Sequence, residues 1–321
     1  MTKWIKNILG VAIILFLLWY LSRHWEELKT VSQLGLEQLV IIYFLCFLSL
    51  LVSALVDKYL LKALNAKAGF WDIFCVNNAA TLLNYIPMKF GTLFRANYLK
   101  RHYGLAYTHF ATFFLYVMFL ITALAAVVGL IVLLTVYKLA GYESKILAGV
   151  FAVTIAGSLL FLFVPLPVPK AAGQFSSMLR DFLSGRRQIA KKTKLTVMAA
   201  MLLSLNFLLT ALRFGIIYHS MGQDIHPGGC LLLGTLGYLA LFISLTPGAL
   251  GIRELVLGFG AVVIAVPLQV GVLAAMIDRA IALGWSFVIG GACTAWLWHK
   301  SPTSFKKNQV NSSPRSNERA S

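Results

Sequence analysis

The sequence predicts an all-α polytopic membrane protein, and three observations predict it. Of 321 residues, 59% are hydrophobic and only 12% charged, about half the roughly 25% charged content of soluble domains. Apolar segments at 36–56, 111–136, 146–165 and 195–218 are long enough for helices to cross about 30 Å of hydrocarbon at about 1.5 Å per residue. Basic residues crowd into alternate loops. The roughly ten-residue stretches of alternating polarity that mark a β-barrel are absent.

The net charge of +17 would suit a nucleic-acid partner, but its placement argues for topology instead. Lys3 and Lys6 form one group, and Lys58, Lys62, Lys67, Lys89, Arg95, Lys100 and Arg101 a second. Lys170, Arg180, Arg186, Arg187, Lys191, Lys192 and Lys194 form a third, followed by the tail's Lys300, Lys306, Lys307, Arg315 and Arg319. The opposite loops hold Arg23, Lys29, Lys138 and Lys145 alone. By the positive-inside rule both termini are cytoplasmic. Orientation accounts for most of the charge, attraction to anionic lipid for a lesser part, and no nucleic-acid partner is expected.

The elements follow in order. A first crossing at 5–21 lacks a cleavage site after Trp19-Tyr20-Leu21-Ser22, so it reads as an uncleaved signal-anchor. A second crossing at 36–56 returns. The stretch 70–94 has basic loops on both sides and contains Asn77, Asn78, Asn84, Pro87, Lys89 and Gly91. A re-entrant hairpin from the cytoplasmic face fits it. Crossings at 109–136, 146–166 and 195–219 follow, then a tract at 229–266 and a last helix at 269–298. One crossing between 219 and 269 would put the basic tail on the wrong side. With arms under about twenty residues each, below the usual crossing length, a hairpin from the outside is preferred to two crossings, which would make eight transmembrane helices in all. About six full crossings and two hairpins result.

The halves 5–136 and 146–298 then correspond in inverted orientation within one integral domain, 1–299. Residues 167–194 form a basic loop with an amphipathic helix expected around 175–183, and 300–321 is polar enough to be disordered. The two breaks are alike. Asn84, Pro87 and Gly91 lead to Arg95; Thr246, Pro247, Gly248 and Gly251 lead to Arg253 and Glu254. Paired interrupted segments in opposed halves mark transporters, with the site near the bilayer midplane.

Charge at membrane depth gives the candidate site. A charge at mid-helix costs about 2.5–3.5 kcal/mol on insertion scales, so Arg213, Arg253, Glu254, Asp278 and Arg279 are expected to pair. Adjacent Asp278 and Arg279 point about 100° apart on a helix and should take different partners. The sum is three positive and two negative charges, which favours an anionic ligand; arginine and a broken helix end both suit phosphate. A self-neutralising clamp holding the hairpin is the competing reading, and Arg213 has the alternative of snorkelling to the outer interface. The six histidines flank membrane ends, Trp4, Trp19, Trp25, Trp71, Trp296 and Trp298 read as interfacial anchors, and Cys46, Cys75, Cys230 and Cys293 as small buried residues. No nucleotide, cofactor or hydrolase fingerprint is present, which argues against ATP-driven pumping within the chain, and no cofactor is expected.

The two breaks, Asn84-Tyr-Ile-Pro87 through Gly91 and Arg95, and Thr-Pro-Gly-Ala-Leu-Gly-Ile-Arg-Glu at 246–254, resemble the transmembrane region of the lysylphosphatidylglycerol synthase family. The resemblance spans about 5–298. That family includes the flippase part of the bacterial multiple-peptide-resistance factors, stand-alone inner-membrane relatives, and members linked to hopanoid transport or archaeal lipid-linked glycosylation. The resemblance implies functional positions at Arg95, Arg253 and Glu254, with Arg279 at the edge of the carry-over. Met88-Lys89 stands where an arginine-bearing variant would be expected. The soluble aminoacyltransferase domain of the bifunctional members has no counterpart before Ser321, so synthase chemistry is not expected.

The expectation is an inner-membrane lipid translocator, flippase-like and not an enzyme. It would move an anionic, aminoacylated or polyprenyl-phosphate-linked lipid between leaflets. Arg253 and Arg279 would hold the headgroup, Glu254 and Asp278 would position them, and Arg95 would guard the cytoplasmic entrance. The rivals are a membrane-embedded partner of a glycosyltransferase or aminoacyltransferase anchored through 170–194, and a lipid-modifying enzyme with Glu254 or Asp278 as base.

Overall fold

The computed structural model describes residues 34–85, 90–139, 141–164, 174–243 and 251–310, with backbone only for 174–175, 241–243 and 300–310. Among these residues it is helical, with ten helices and no strand. They are α1 (Leu36–Ala63), α2 (Phe70–Leu83), α3 (Phe90–Tyr103), α4 (Tyr107–Thr135), α5 (Tyr142–Phe163), α6 (Gln174–Lys191), α7 (Thr193–Ser220), α8 (Pro227–Ile243), α9 (Ile252–Val263) and α10 (Leu268–Val310).

The protein is a multi-pass membrane protein. Five helices, α1, α4, α5, α7 and α10 as far as His299, are long and apolar enough to cross a bilayer. They match five of the six full crossings expected; the first, at 5–21, lies outside the described residues. Apolar side chains cover the outside as well as the inside: α5 exposes Ile146, Val150, Val153, Leu159, Leu160 and Phe163. In water such a helix would bind another surface, whereas in hydrocarbon it is simply solvated.

The remaining helices are short for a physical reason. At about 1.5 Å per residue, the 14-residue α2 and α3 reach about 21 Å each. The 12-residue α9 reaches about 18 Å. Neither length spans the hydrocarbon, which suits arms of broken hairpins at α2–α3 and α8–α9; α8 itself has 17 residues, the lower end of the crossing range. Pro87, Lys89, Thr246, Pro247 and Gly248 at the tips lie outside the described residues.

What holds each hairpin closed is visible at its rim. Asn84 ends α2, and its Oδ1 accepts the Thr92 N–H at 3.0 Å at the start of α3. Gly91 packs so tightly against α2 that an added Cβ would lie 1.8 Å from the Ala80 carbonyl oxygen. In the second hairpin Gly251 has φ +81°, a left-handed backbone that favours glycine. Glu254 Oε2 accepts the Gly251 N–H at 2.8 Å, satisfying one donor of a helix start.

The packing repeats between halves. α1 lies against α7, and both have 28 residues. α2 lies against α10 as α8 lies against α4. Exchanging α1–α4 with α7–α10 maps these contacts onto one another. α6 is the extra element. It runs from 174 to 191, twice the length expected, because Arg186 does more than face water. Its guanidinium is buried and donates to the Phe161 and Val164 carbonyls that end α5. A cation there satisfies orphan carbonyls and meets the negative end of the helix dipole.

Arg186→Met should therefore cost about 1.5–3 kcal/mol, the range for hydrogen bonds to a charged group. Thermal denaturation in detergent and faster proteolysis near 165–192 would show it. A melting curve like the wild type's would mean that α6 is held by other contacts. At the chain's end α10 continues through Val310. The tail expected to be disordered from residue 300 thus falls partly on this helix and partly on 311–321, outside the described residues.

Candidate functional site at the hairpin tips

The five charges singled out at membrane depth come together. Asp278 is fully buried on α10 and faces two arginines, Arg253 of α9 at 2.6 Å and Arg213 of α7 at 3.1 Å. One position along α10, Arg279 pairs with Glu254 of α9. The 100° step between adjacent helical positions thus sends the two to different partners. Because Arg253 and Glu254 are also adjacent, two consecutive residues of α9 meet two consecutive residues of α10. Arg213 does not snorkel. It is 9% exposed and donates to Cys46 Sγ of α1 at 2.6 Å, which ties three helices at one point.

The surplus of one positive charge has a location. Arg279 and Glu254 neutralise each other, while Asp278 alone faces both Arg213 and Arg253. Of the three guanidiniums, Arg253 is the most accessible, with its side chain 17% exposed against 11% for Arg213 and 4% for Arg279. It lies over Gly237 of α8, where an added Cβ would come within 3.8 Å of the guanidinium, ordinary van der Waals contact. The Nε atoms of Arg213 and Arg253 have no hydrogen-bond partner among the described residues. The same holds for the Nε of Arg95, Arg186 and Arg279, so it does not set this place apart.

Arg95 sits in a separate, smaller group. Asp57 of α1 accepts from Arg95 at 2.7 Å and from Asn77 Nδ2 at 2.6 Å. The guanidinium lies 5.0 Å from the Phe113 ring centroid, a favourable cation–π distance. This group is neutral overall, so Arg95 is no free cation. Asn78 donates to the Phe74 carbonyl in its own helix. Thus Asn77 joins a polar cluster while Asn78 and Asn84 serve backbone, which divides three asparagines the sequence left undivided.

Tyrosines from both hairpin arms reach this network. Tyr85, next to the first break, lies beside Ser286, with Arg253 and Arg279 in electrostatic reach. Arg279 and Ser286 are seven positions apart, two turns along one helix face. Tyr238 of α8 closes the other side, beside Thr210 and near Arg213, Arg253 and Asp278. The result is a cationic polar cluster flanked by two phenols between broken helices inside an apolar bundle.

A family model described as the lysylphosphatidylglycerol synthase TM region matches residues 7–291. The chain belongs to that family. Its membership gives a membrane lipid-related role and agrees with the resemblance carried by the two breaks. No curated protein and no solved structure matches the chain. Within this lysylphosphatidylglycerol synthase TM-region fold, the positions implied by resemblance divide between two places. Arg253, Glu254 and Arg279 share the central network, and Arg95 belongs to the Asp57 group.

Asp57, Tyr85, Tyr238, Ser286 and Cys46 were missed in the sequence. Asp57 had a readable signal: the apolar run continues past it through Tyr59, Leu60 and Leu61. The neighbouring Lys58 disguised it as the start of a loop. The other four are ordinary membrane residues whose roles depend on what they face.

Proposed function

We propose that this protein is a lipid translocator of the bacterial inner membrane, flippase-like, with both termini cytoplasmic. It takes the anionic phosphate of a lipid headgroup into the network at Asp278. The observation that carries the reading is the second arginine on that carboxylate. A closed clamp needs one cation per carboxylate, and Arg253 exceeds that need while being the most accessible. Guanidinium binds phosphate bidentately. Broken helices from opposed halves are what alternating exposure of one midplane site requires. Neither hydrolysis nor group transfer is part of the proposal.

The excess arginine also makes a clean test. Arg253→Ala leaves Asp278 paired with Arg213, so no buried charge is stranded and the fold should hold. Lost phosphate contacts of about 1.5–3 kcal/mol correspond to a roughly ten- to hundredfold slower translocation. The readout is dithionite quenching of fluorescent phosphatidylglycerol in proteoliposomes, with melting temperature measured alongside. An unchanged rate would leave the clamp as the whole role of the network.

A second reading has one observation in its favour. Arg180, Arg187 and Lys191 are exposed on α6 at i, i+7 and i+11, a basic stripe suited to an acidic partner such as a lipid-modifying transferase. Charge reversal of the three that removes a co-purifying transferase while leaving translocation intact would support it.

A further inference from the structure

The two halves match in order but not in closure. In the second half α9 lies directly along α10. A Cβ added to Gly271 would fall 2.4 Å from the Ala261 Cβ and 3.0 Å from the Gly258 Cα, so the helices touch backbone to backbone. Their counterparts α3 and α4 meet only sparsely. Along α3, touching α4 only at its first residue Tyr107, runs an open groove of about 350 Å³, lined by Phe90, Leu93, Phe94, Ala96, Asn97 and Tyr107.

The lining is ordered by polarity. Phe90, Leu93, Phe94 and Asn97 share one face of α3 by their i, i+3, i+4, i+7 spacing, with Leu93 62% exposed. The apolar residues occupy the early turns. At the other end the Tyr107 hydroxyl approaches Asn97 Oδ1 at 3.5 Å, and the Lys100 ammonium lies 4.0 Å from the Tyr107 ring centroid. Arg101 follows, and α3 carries no Asp or Glu. An apolar trough that ends in a cation without an ion-pair partner among the described residues, and in two hydrogen-bonding side chains, has the polarity of a phospholipid.

We propose that the α3–α4 groove is a binding site for an anionic phospholipid. Its acyl chain lies on Phe90, Leu93 and Phe94, and its phosphate meets Lys100, Asn97 and the Tyr107 hydroxyl. Resting on the translocator reading, the groove is the lateral port from the bilayer, and the closed α9–α10 seam is its counterpart for the other leaflet. The structure then holds one port open and one shut, as alternating access demands of an inverted repeat.

The test uses the full chain in phosphatidylcholine nanodiscs carrying a trace of phospholipid with a diazirine on its acyl chain. The headgroup is phosphatidylglycerol in one arm and phosphatidylcholine in the other. After irradiation, label is mapped by peptide mass spectrometry. The expected result is several-fold more label on 90–97 and 107 from phosphatidylglycerol than from phosphatidylcholine. Lys100→Gln, an exposed position where folding is not at stake, should abolish that preference, and Tyr107→Phe should weaken it. Equal label from both lipids, at the level found on α5 around Val153 and Leu160, would mean ordinary boundary lipid and overturn the site. Preferential label with no translocation by the wild type in proteoliposomes supports the site while ending the translocator reading. Arg253-dependent translocation without preferential label overturns the site and leaves that reading standing.

Discussion

Asp278→Asn is expected to leave little folded protein, and more of the loss comes from what remains than from what is removed. Asp278 is fully buried between Arg213 and Arg253. The asparagine keeps the shape but strands two guanidiniums where one carboxylate had served both. Breaking a buried ion pair on one side costs about 3–5 kcal/mol, much of the roughly 5–15 kcal/mol that separates folded from unfolded proteins. Yield and melting temperature in detergent should fall together. Adding Arg213→Met to Asp278→Asn should recover part of the loss, since it removes a stranded charge. Arg253→Ala alone should be mild. Were Asp278→Asn to melt within a few degrees of the wild type, the ion network would not be what holds α7, α9 and α10 together.

Gly91→Ala should open the first hairpin. The added methyl would sit 1.8 Å from the Ala80 carbonyl oxygen and 2.7 Å from Asn84 Oδ1. A flexible side chain might yield, but the carbonyl belongs to the backbone of α2, so the helices must separate. Overpacking commonly costs about 1–3 kcal/mol and occasionally more, and the backbone obstacle places this change at the upper end. The controls are Gly149→Ala and Gly157→Ala in α5, where nothing lies within 4 Å of the new methyl. There alanine's better helix propensity should make the change neutral or stabilising by up to about 1 kcal/mol. Melting temperatures of the three variants decide it. Equal tolerance at Gly91 and Gly149 would refute the close approach of α2 and α3.

The two changes show how legible this protein is and where legibility stops. Pro-x-x-x-Gly occurs in both breaks, so the existence of two interrupted segments could be read from composition and order. That Gly91 is needed for a helix–helix approach, while Gly251 is needed for its left-handed backbone, could not. The first need arises from a neighbour and the second from local geometry. Arg213 makes the same point. From sequence it sits near a helix end, where a long side chain can reach the interface. Folding instead places Asp278 and Cys46 beside it, and pairing in hydrocarbon outweighs escape to water. Asp57 reverses the case: it looked like a loop residue because Lys58 follows, and its burial appears only when α3 brings Arg95 to it.

What the sequence determined by itself is the class, the order of crossings and breaks, and the five charges that had to find partners. Hydrocarbon thickness sets helix length, and the cost of an unpaired charge forbids isolation; both act on the chain without reference to its neighbours. Only the tertiary structure decided who pairs with whom, and hence that the surplus cation is Arg253 and that Arg95 is already neutralised. It also decided that one seam of the repeat is closed and the other open. Pairing and closure depend on distances between helices far apart in the chain, and those distances exist only once the halves have packed.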